Sequence, residues 1–284
     1  MRLSDVPSAV RLSLLSTGLY LVGVIKSVKT ALRQLLPRCM LDSHARMKLA
    51  RKRQVNQKKT VKEVFTDIYE NNEWGGRGNE YSSGPGSSEH HAFVYAEAVK
   101  AFIVDRGVTT VVDLGCGDFV VGRKLQMEGV KYIGVDIVED LIERNERHYA
   151  DASTMFLCKD IISDELPEGD LCLIRQVLQH LSNSEIASIL SKVKQYSHVM
   201  ITEHYPPAEA KYVANRDKPH GSDTRVIDHS AVYLDEPPFN MSDLSLVLEV
   251  EIDEELMKGE MLRTFLIENS TEPQRRPATI SQAL

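Results

Sequence analysis

Apolar residues change their spacing along this chain, and each change marks an element. Val61, Val64, Phe65 and Ile68 recur three and four apart, which predicts an amphipathic helix stopping before Trp74-Gly75-Gly76. Residues 75–88 hold five glycines and Pro85, so a loop is expected there. Phe93, Ala96, Val99 and Ile103 mark a second helix face, ending near Gly107. From that point short β-rich runs alternate with helical stretches. Strands are expected at 110–114, 132–136, 154–159, 171–175 and 198–203, with helices at 120–128, 138–149 and 184–194. The last helix opens with Ser182 and Glu185 three residues on, a capping box. This alternation is the signature of an α/β fold built on a parallel sheet. Two strand-like runs close it, 245–253 and 261–269, joined by a short connection containing Gly259. An antiparallel ending of this kind departs from a dinucleotide dehydrogenase, which would continue in βα units.

Composition adds a division into parts. With 284 residues, 42% hydrophobic and 26% charged, the chain can bury one sizeable core and carry extensions beside it. The net charge of −7 is unevenly spread: residues 1–62 hold 14 Lys/Arg against Asp5 and Asp42, a local +12, leaving 20 against 39, or −19, elsewhere. We therefore expect a basic arm over residues 1–60, a globular domain over 61–269 and a disordered tail over 270–284, with arm and body meeting different partners. Within the arm, residues 12–25 (LSLLSTGLYLVGVI) are largely apolar and bracketed by Arg11 and Lys26. A spanning helix needs about 20 residues, so this run reads as an interfacial helix, an uncleaved signal anchor or a transit peptide. Association with an anionic membrane surface is the favoured reading, for a protein otherwise cytoplasmic. Arg51-Lys52-Arg53 and Lys58-Lys59 read as a solvated helix face, and no nucleic acid is expected. The four cysteines form no CxxC pair, and three lie in or beside apolar runs, as reduced buried thiols do. His90, His91, His220 and His229 lack metal-ligand spacing, so no metal site is expected.

The chemistry concentrates in Asp113-Leu114-Gly115-Cys116-Gly117-Asp118. A buried strand running into Gly-x-Gly turns sharply and admits a ligand where side chains would collide. Asp136 closes the next strand 19 residues after Gly117, where a carboxylate can accept both hydroxyls of a ribose, and Asp160 closes the third. With Gly134-Val135-Asp136, Lys159-Asp160-Ile161 and the segment after strand four, this set resembles the class I S-adenosylmethionine-dependent methyltransferases over about residues 107–203. The resemblance implies a Rossmann-like seven-stranded methyltransferase sheet with helices on both faces and its last strand antiparallel. It implies S-adenosyl-L-methionine as cofactor, its methionine end received by Gly115 and Gly117 in a turn completed by Cys116 and Asp118. Asp136, followed by Ile137, would grip the ribose. Asp160 and Ile161 would meet the adenine, and Asp113 would orient the turn and the donor's ammonium. A nicotinamide dinucleotide fits less well, because the third glycine of its fingerprint falls on Val120.

The acceptor side is expected at the carboxyl edge of the sheet, where Arg175 and Gln176 follow strand four. In the family this segment lines the donor and the reaction centre. His180 reads as a packing residue at the helix start. His204, leaving strand five, is the first candidate for a general base, with Gln176 as a hydrogen-bonding partner. The long connection after Tyr205 carries Arg216, Lys218, His220, Asp223 and Arg225 and reads as a lid, with Arg225 placed to pair with an anionic acceptor and Asp223 to accept from its hydroxyls. Residues 83–87, Ser-Gly-Pro-Gly-Ser, are similar to a loop of bacterial methyltransferases of surface-glycan and secondary-metabolite pathways. The expected function is in-line methyl transfer to a small-molecule or glycan acceptor, at oxygen and without a metal. Two alternatives stay open: a catalytically inactive donor-binding scaffold or assembly factor, and an NAD-dependent oxidoreductase.

Overall fold

The computed structural model describes residues 38–76, 81–84, 86, 89–252 and 257–269. The apolar run 12–25 and the tail 270–284 lie outside the described residues. The chain divides into two units, Met1–Val55 and Asn56–Leu284.

Helix α1 spans Arg38–Asn56. Helix α2, Val61–Glu70, starts at a full capping box: the Thr60 hydroxyl accepts from the Glu63 amide, and the Glu63 carboxylate accepts from the Thr60 amide. Helix α3, Glu89–Arg106, buries Tyr95, Ala96, Val99 and Ile103. It stops at Gly107, whose φ of +62° lets the Val108 amide turn back onto the Ile103 carbonyl.

The strands are β1 Thr110–Leu114, β2 Lys131–Asp136, β3 Thr154–Cys158, β4 Leu171–Arg175, β5 His198–Tyr205, β6 Leu244–Glu251 and β7 Met261–Glu268. They form one sheet in the order β3-β2-β1-β4-β5-β7-β6. The first five run parallel, β1 pairing with both β2 and β4, and β7 runs antiparallel to its neighbours β5 and β6. The order reverses at β1 and β4, so the crevice at their carboxyl ends is where an open α/β sheet binds its ligand.

Alternation along the strands feeds two cores. Val112, Leu114, Ile133, Val135 and Ile174 pack with Ile186 and Ile189 of helix α5, Asn183–Lys192. Val111, Leu171, Leu173 and Met200 pack on the other face with α3 and with Ile142 of helix α4, Glu139–Tyr149. Helices thus cover both faces of the seven-stranded sheet.

The helix expected over 120–128 is instead a single 3₁₀ turn, Gly122–Leu125. Phe119 takes φ +65°, which no right-handed helix accepts, and its ring packs edge-on against Phe156 at 4.9 Å. Gly122 then passes so close to the core that a Cβ there would lie 2.2 Å from the Tyr132 hydroxyl. Tertiary packing overrides the local helical pattern here.

Candidate functional site

The turn after β1 is fixed from below, where the amides of Gly115 and Cys116 both donate to the Val135 carbonyl, at 2.7 and 3.0 Å. Gly115 sits at φ +80°, and a Cβ on it would meet a Val177 methyl at 2.4 Å. Gly117 sits at φ +56°, with a hypothetical Cβ 2.3 Å from the Ser83 hydroxyl. The pre-sheet loop is therefore seated on the turn. Ser83 and Asp118 bind each other reciprocally: the Ser83 amide donates to the Asp118 carboxylate at 2.9 Å, and the Asp118 amide donates to the Ser83 hydroxyl at 3.0 Å. The Tyr69 hydroxyl lies 3.1 Å from the same Ser83 oxygen.

Asp136 faces this turn from the end of β2. Its carboxylate accepts from the Gly117 and Val138 amides, each at 3.1 Å, which leaves each oxygen further lone-pair capacity toward the cleft. Burial raises its pKa, and those amide hydrogen bonds partly offset the effect. Burial likewise pushes Asp113 up to about 6, opposed by the hydrogen bond from Tyr132 and the charge of Arg175. Asp160 accepts from the Ile162 amide at 2.9 Å and from the Ser163 hydroxyl at 3.0 Å. Cys116, Ile137, Asp160 and Ile161 all line the same cleft as Asp113, the glycine turn and Asp136.

Arg175 and Gln176 close the far wall of that cleft. The Arg175 guanidinium donates to the Gly86 carbonyl at 2.6 Å and lies 5.1 Å over the Tyr95 ring. Its buried Nε and the Gln176 Nε2 find no acceptor among the described residues. Gln176 itself is held at φ +56°, the kind of local strain that concentrates at ligand sites. A buried carboxylate at the end of β2, a second at the turn and two unsatisfied donors are groups that could pair with the hydroxyls, ammonium and carboxylate of S-adenosylmethionine.

Two features of the site escaped the sequence reading. Phe65 and Tyr69 of α2, with Trp74 beyond it, form an aromatic wall of the cleft, ring centroids 5.3 Å apart for Tyr69 and Trp74 and 6.0 Å for Phe65 and Trp74. The signal was available: Val61, Phe65 and Tyr69 repeat every fourth residue on one helix face. Glu203 is the second. It is 1% exposed, and its carboxylate accepts from the Leu178 and Gln179 amides at 2.9 and 3.1 Å, fastening the 3₁₀ turn Leu178–His180 beside the cleft. Burial pushes its pKa up to about 8. No spacing marks such a residue, because it acts through backbone far away in sequence.

His180, expected to pack, does so and also lines the cleft, its ring 5.0 Å from Trp74. Burial lowers its pKa to about 3, so it is neutral, and Nδ1 at 3.1 Å from the Gly221 carbonyl carries the hydrogen.

Three expected acceptor residues, His204, Arg225 and Asp223, are placed elsewhere. His204 does not line the cleft, and its Nε2 lies 2.6 Å from the Glu260 carboxylate. Neighbouring strand residues point to opposite faces, so Glu203 reaching the turn after β4 sends His204 the other way. Arg225 is 1% exposed and donates to the carbonyls of Leu181 and Arg216, both at 2.7 Å. Lys218 is buried and donates to the backbone carbonyl of Asp223 at 2.8 Å, with the Asp223 carboxylate 3.6 Å away. The long connection thus turns Lys218, Asp223 and Arg225 inward, since irregular backbone packed against the domain needs partners for its carbonyls. Among the described residues no group of three His, Cys, Asp or Glu could hold a metal ion.

A family profile described as "Methyltransferase domain" matches residues 111–197. The carboxy-S-adenosyl-L-methionine synthase of Glaesserella parasuis serovar 5 is 31% identical over 102 residues, 33% of this chain and 42% of that protein. An uncharacterized methyltransferase of Mycobacterium tuberculosis is 27% identical over 99 residues, 34% of this chain and 50% of its own length. The chain thus spans about two fifths to one half of the curated relatives it matches. Among solved structures, the magnesium protoporphyrin IX methyltransferase of Synechocystis PCC 6803 with bound S-adenosylmethionine has 17% identity, covers 73% of this chain and 97% of its own, and superposes with a TM-score of 0.46. Strand order and the glycine turn with its carboxylates agree with the profile match, so residues 111–197 are similar to methyltransferase domains.

Proposed function

We propose that this protein transfers a methyl group from S-adenosylmethionine to a small-molecule acceptor. The observation that carries the proposal is one cleft in which the Gly115–Gly117 turn, buried Asp136 and Asp113, the unsatisfied donors of Arg175 and Gln176, and an aromatic wall meet. When bound, the cofactor supplies an electrophilic methyl on sulfur for in-line displacement. Asp136 holds the ribose hydroxyls, Asp113 the ammonium, and Arg175 with Gln176 the carboxylate, each by charge-assisted or buried hydrogen bonds. Asp160 and Ile161 border the adenine. Phe65, Tyr69, Trp74 and neutral His180 shield the remaining space from water and orient an acceptor. Of these, His180 is the imidazole facing the cleft, and its low pKa makes it a hydrogen-bond acceptor rather than a strong base. With His204 engaged by Glu260, the acceptor chemistry favoured is one already nucleophilic at neutral pH.

The test is incubation of the full chain with methyl-labelled S-adenosylmethionine and fractionated metabolite extracts. Acceptor-dependent label transfer with stoichiometric S-adenosylhomocysteine is expected. Tight donor binding without turnover on any fraction would favour the scaffold reading instead.

A second reading is favoured by one observation. A relative is named carboxy-S-adenosyl-L-methionine synthase, and the buried Arg175 Nε, given above to the donor's own carboxylate, would in this reading hold the added carboxylate instead. A carboxylated sulfonium product, found by mass, would select this reading over methyl transfer.

A further inference from the structure

From Ser43 to Lys62 the chain has eight Lys/Arg and no Asp or Glu. Within that stretch, helix α1 sorts its residues by face. Arg46, Met47, Ala50, Arg51, Gln54, Val55 and Lys48 are exposed on one broad side, whereas Leu49, Lys52, Arg53 and Asn56 on the other are half-buried or buried. Met47 is 64% and Val55 49% exposed. Met47, Arg51 and Val55 stand four apart and so share one line along the helix, with Arg46 and Lys48 flanking it. Two unshielded apolar side chains on a cationic face, in a stretch without an acid, have no role in the cleft.

We propose that this exposed face of α1 docks on an anionic lipid bilayer. Lysine and arginine side chains reach anionic phosphates while Met47 and Val55 enter the acyl boundary, the arrangement of a helix lying in the membrane interface rather than crossing it. None of the described helices is long and apolar enough to cross a membrane, and this mode requires none. At 1.5 Å per residue the exposed face from Arg46 to Val55 offers about 14 Å of contact length. The exposed methionine and valine favour lipid over nucleic acid, whose backbone is met by charge and hydrogen bonds alone.

The test is sedimentation of the full-length protein with vesicles of phosphatidylcholine alone and of phosphatidylcholine with phosphatidylserine. Binding to the anionic vesicles, weakened by salt, is expected, with little binding to the neutral ones. The triple substitution Arg46→Glu, Lys48→Glu, Arg51→Glu should lower partitioning more than about tenfold. Met47→Ser with Val55→Ser should also weaken it in high salt, where charge is screened. All five sites are exposed, and unchanged S-adenosylhomocysteine affinity of each variant shows that the fold and the donor site survive. Failure of the wild type to sediment, or sedimentation that the triple variant retains, overturns the proposal. So does tighter binding to a duplex oligonucleotide than to anionic vesicles, lost in the triple variant but kept in the Met47/Val55 variant.

Discussion

Replacing Gly117 by alanine puts the seating of the pre-sheet loop on the donor turn to a quantitative test. At φ +56° an L-residue costs about 1–2 kcal/mol more than glycine. The new Cβ would also lie 2.3 Å from the Ser83 hydroxyl and 3.2 Å from the Tyr69 hydroxyl, so Ser83 must withdraw. That hydroxyl accepts from the Asp118 amide and meets Tyr69, two hydrogen bonds worth about 0.5–1.5 kcal/mol each. Together the terms give roughly 2–5 kcal/mol, borne by the residues that shape the cleft. At about 2–4 °C per kcal/mol for a domain of this size, the melting temperature should fall by at least about 4 °C. S-adenosylhomocysteine affinity should fall more than about tenfold, because the Gly117 amide also orients Asp136. Gly107→Ala is the control: its φ is +62°, yet nothing lies within 4 Å of a Cβ there. It should show the backbone cost alone and bind the ligand as the wild type does. A Gly117→Ala protein that melts and binds like Gly107→Ala would refute the reasoning.

Arg225→Met should lower stability by about 2–4 kcal/mol, since the Leu181 and Arg216 carbonyls lose a charged donor, while the folded fraction binds S-adenosylhomocysteine normally. Denaturant titration and calorimetry check the two halves. His204→Gln should leave donor affinity and turnover within about twofold of wild type, because its ring meets Glu260 outside the cleft; a loss of about 10²-fold or more would restore it as a general base. Glu203 carries a folded pKa of about 8 against an ordinary 4.5, so the folded state holds its proton more tightly and this group's contribution to stability falls as pH rises from 4.5 toward 8. His180 has the opposite sign, its contribution rising with pH between about 3 and 6.5. Glu203→Gln should therefore flatten the stability profile between about pH 6.5 and 8 in denaturant titrations, and an unchanged slope there would contradict the assignment.

The sheet was legible because its strands are short apolar runs ended by chemistry: Thr110–Leu114 and Leu171–Arg175 were read with both ends correct. The turn after β1 was legible for the same reason, its glycines and the acids at the strand ends falling where the fold gathers them round one cleft. The 3₁₀ turn at Gly122 was not, since Phe119 adopts its left-handed backbone only to pack on Phe156, a partner 37 residues away. The placement of the acceptor-side residues was not legible, for a related reason. Polarity in the sequence marked Lys218, Asp223 and Arg225 as a lid facing an acceptor, whereas a connection without strands or long helices consumes polar side chains to satisfy its own and neighbouring carbonyls. His204 and Glu203 show the limit at its narrowest: adjacent residues on one strand face opposite ways, and only the register decides which one reaches the site.

The central claim is that the carboxylate at the end of β2 holds the ribose of an S-adenosyl ligand. Calorimetric titration of the wild type and Asp136→Ala with S-adenosylhomocysteine, and in parallel with NADH, tests it most directly. Micromolar binding of S-adenosylhomocysteine to the wild type is expected, with a loss of more than about tenfold in Asp136→Ala from the missing charge-assisted hydrogen bonds and no comparable binding of NADH. Equal affinity of the two proteins for S-adenosylhomocysteine, or preferential binding of NADH, would contradict it.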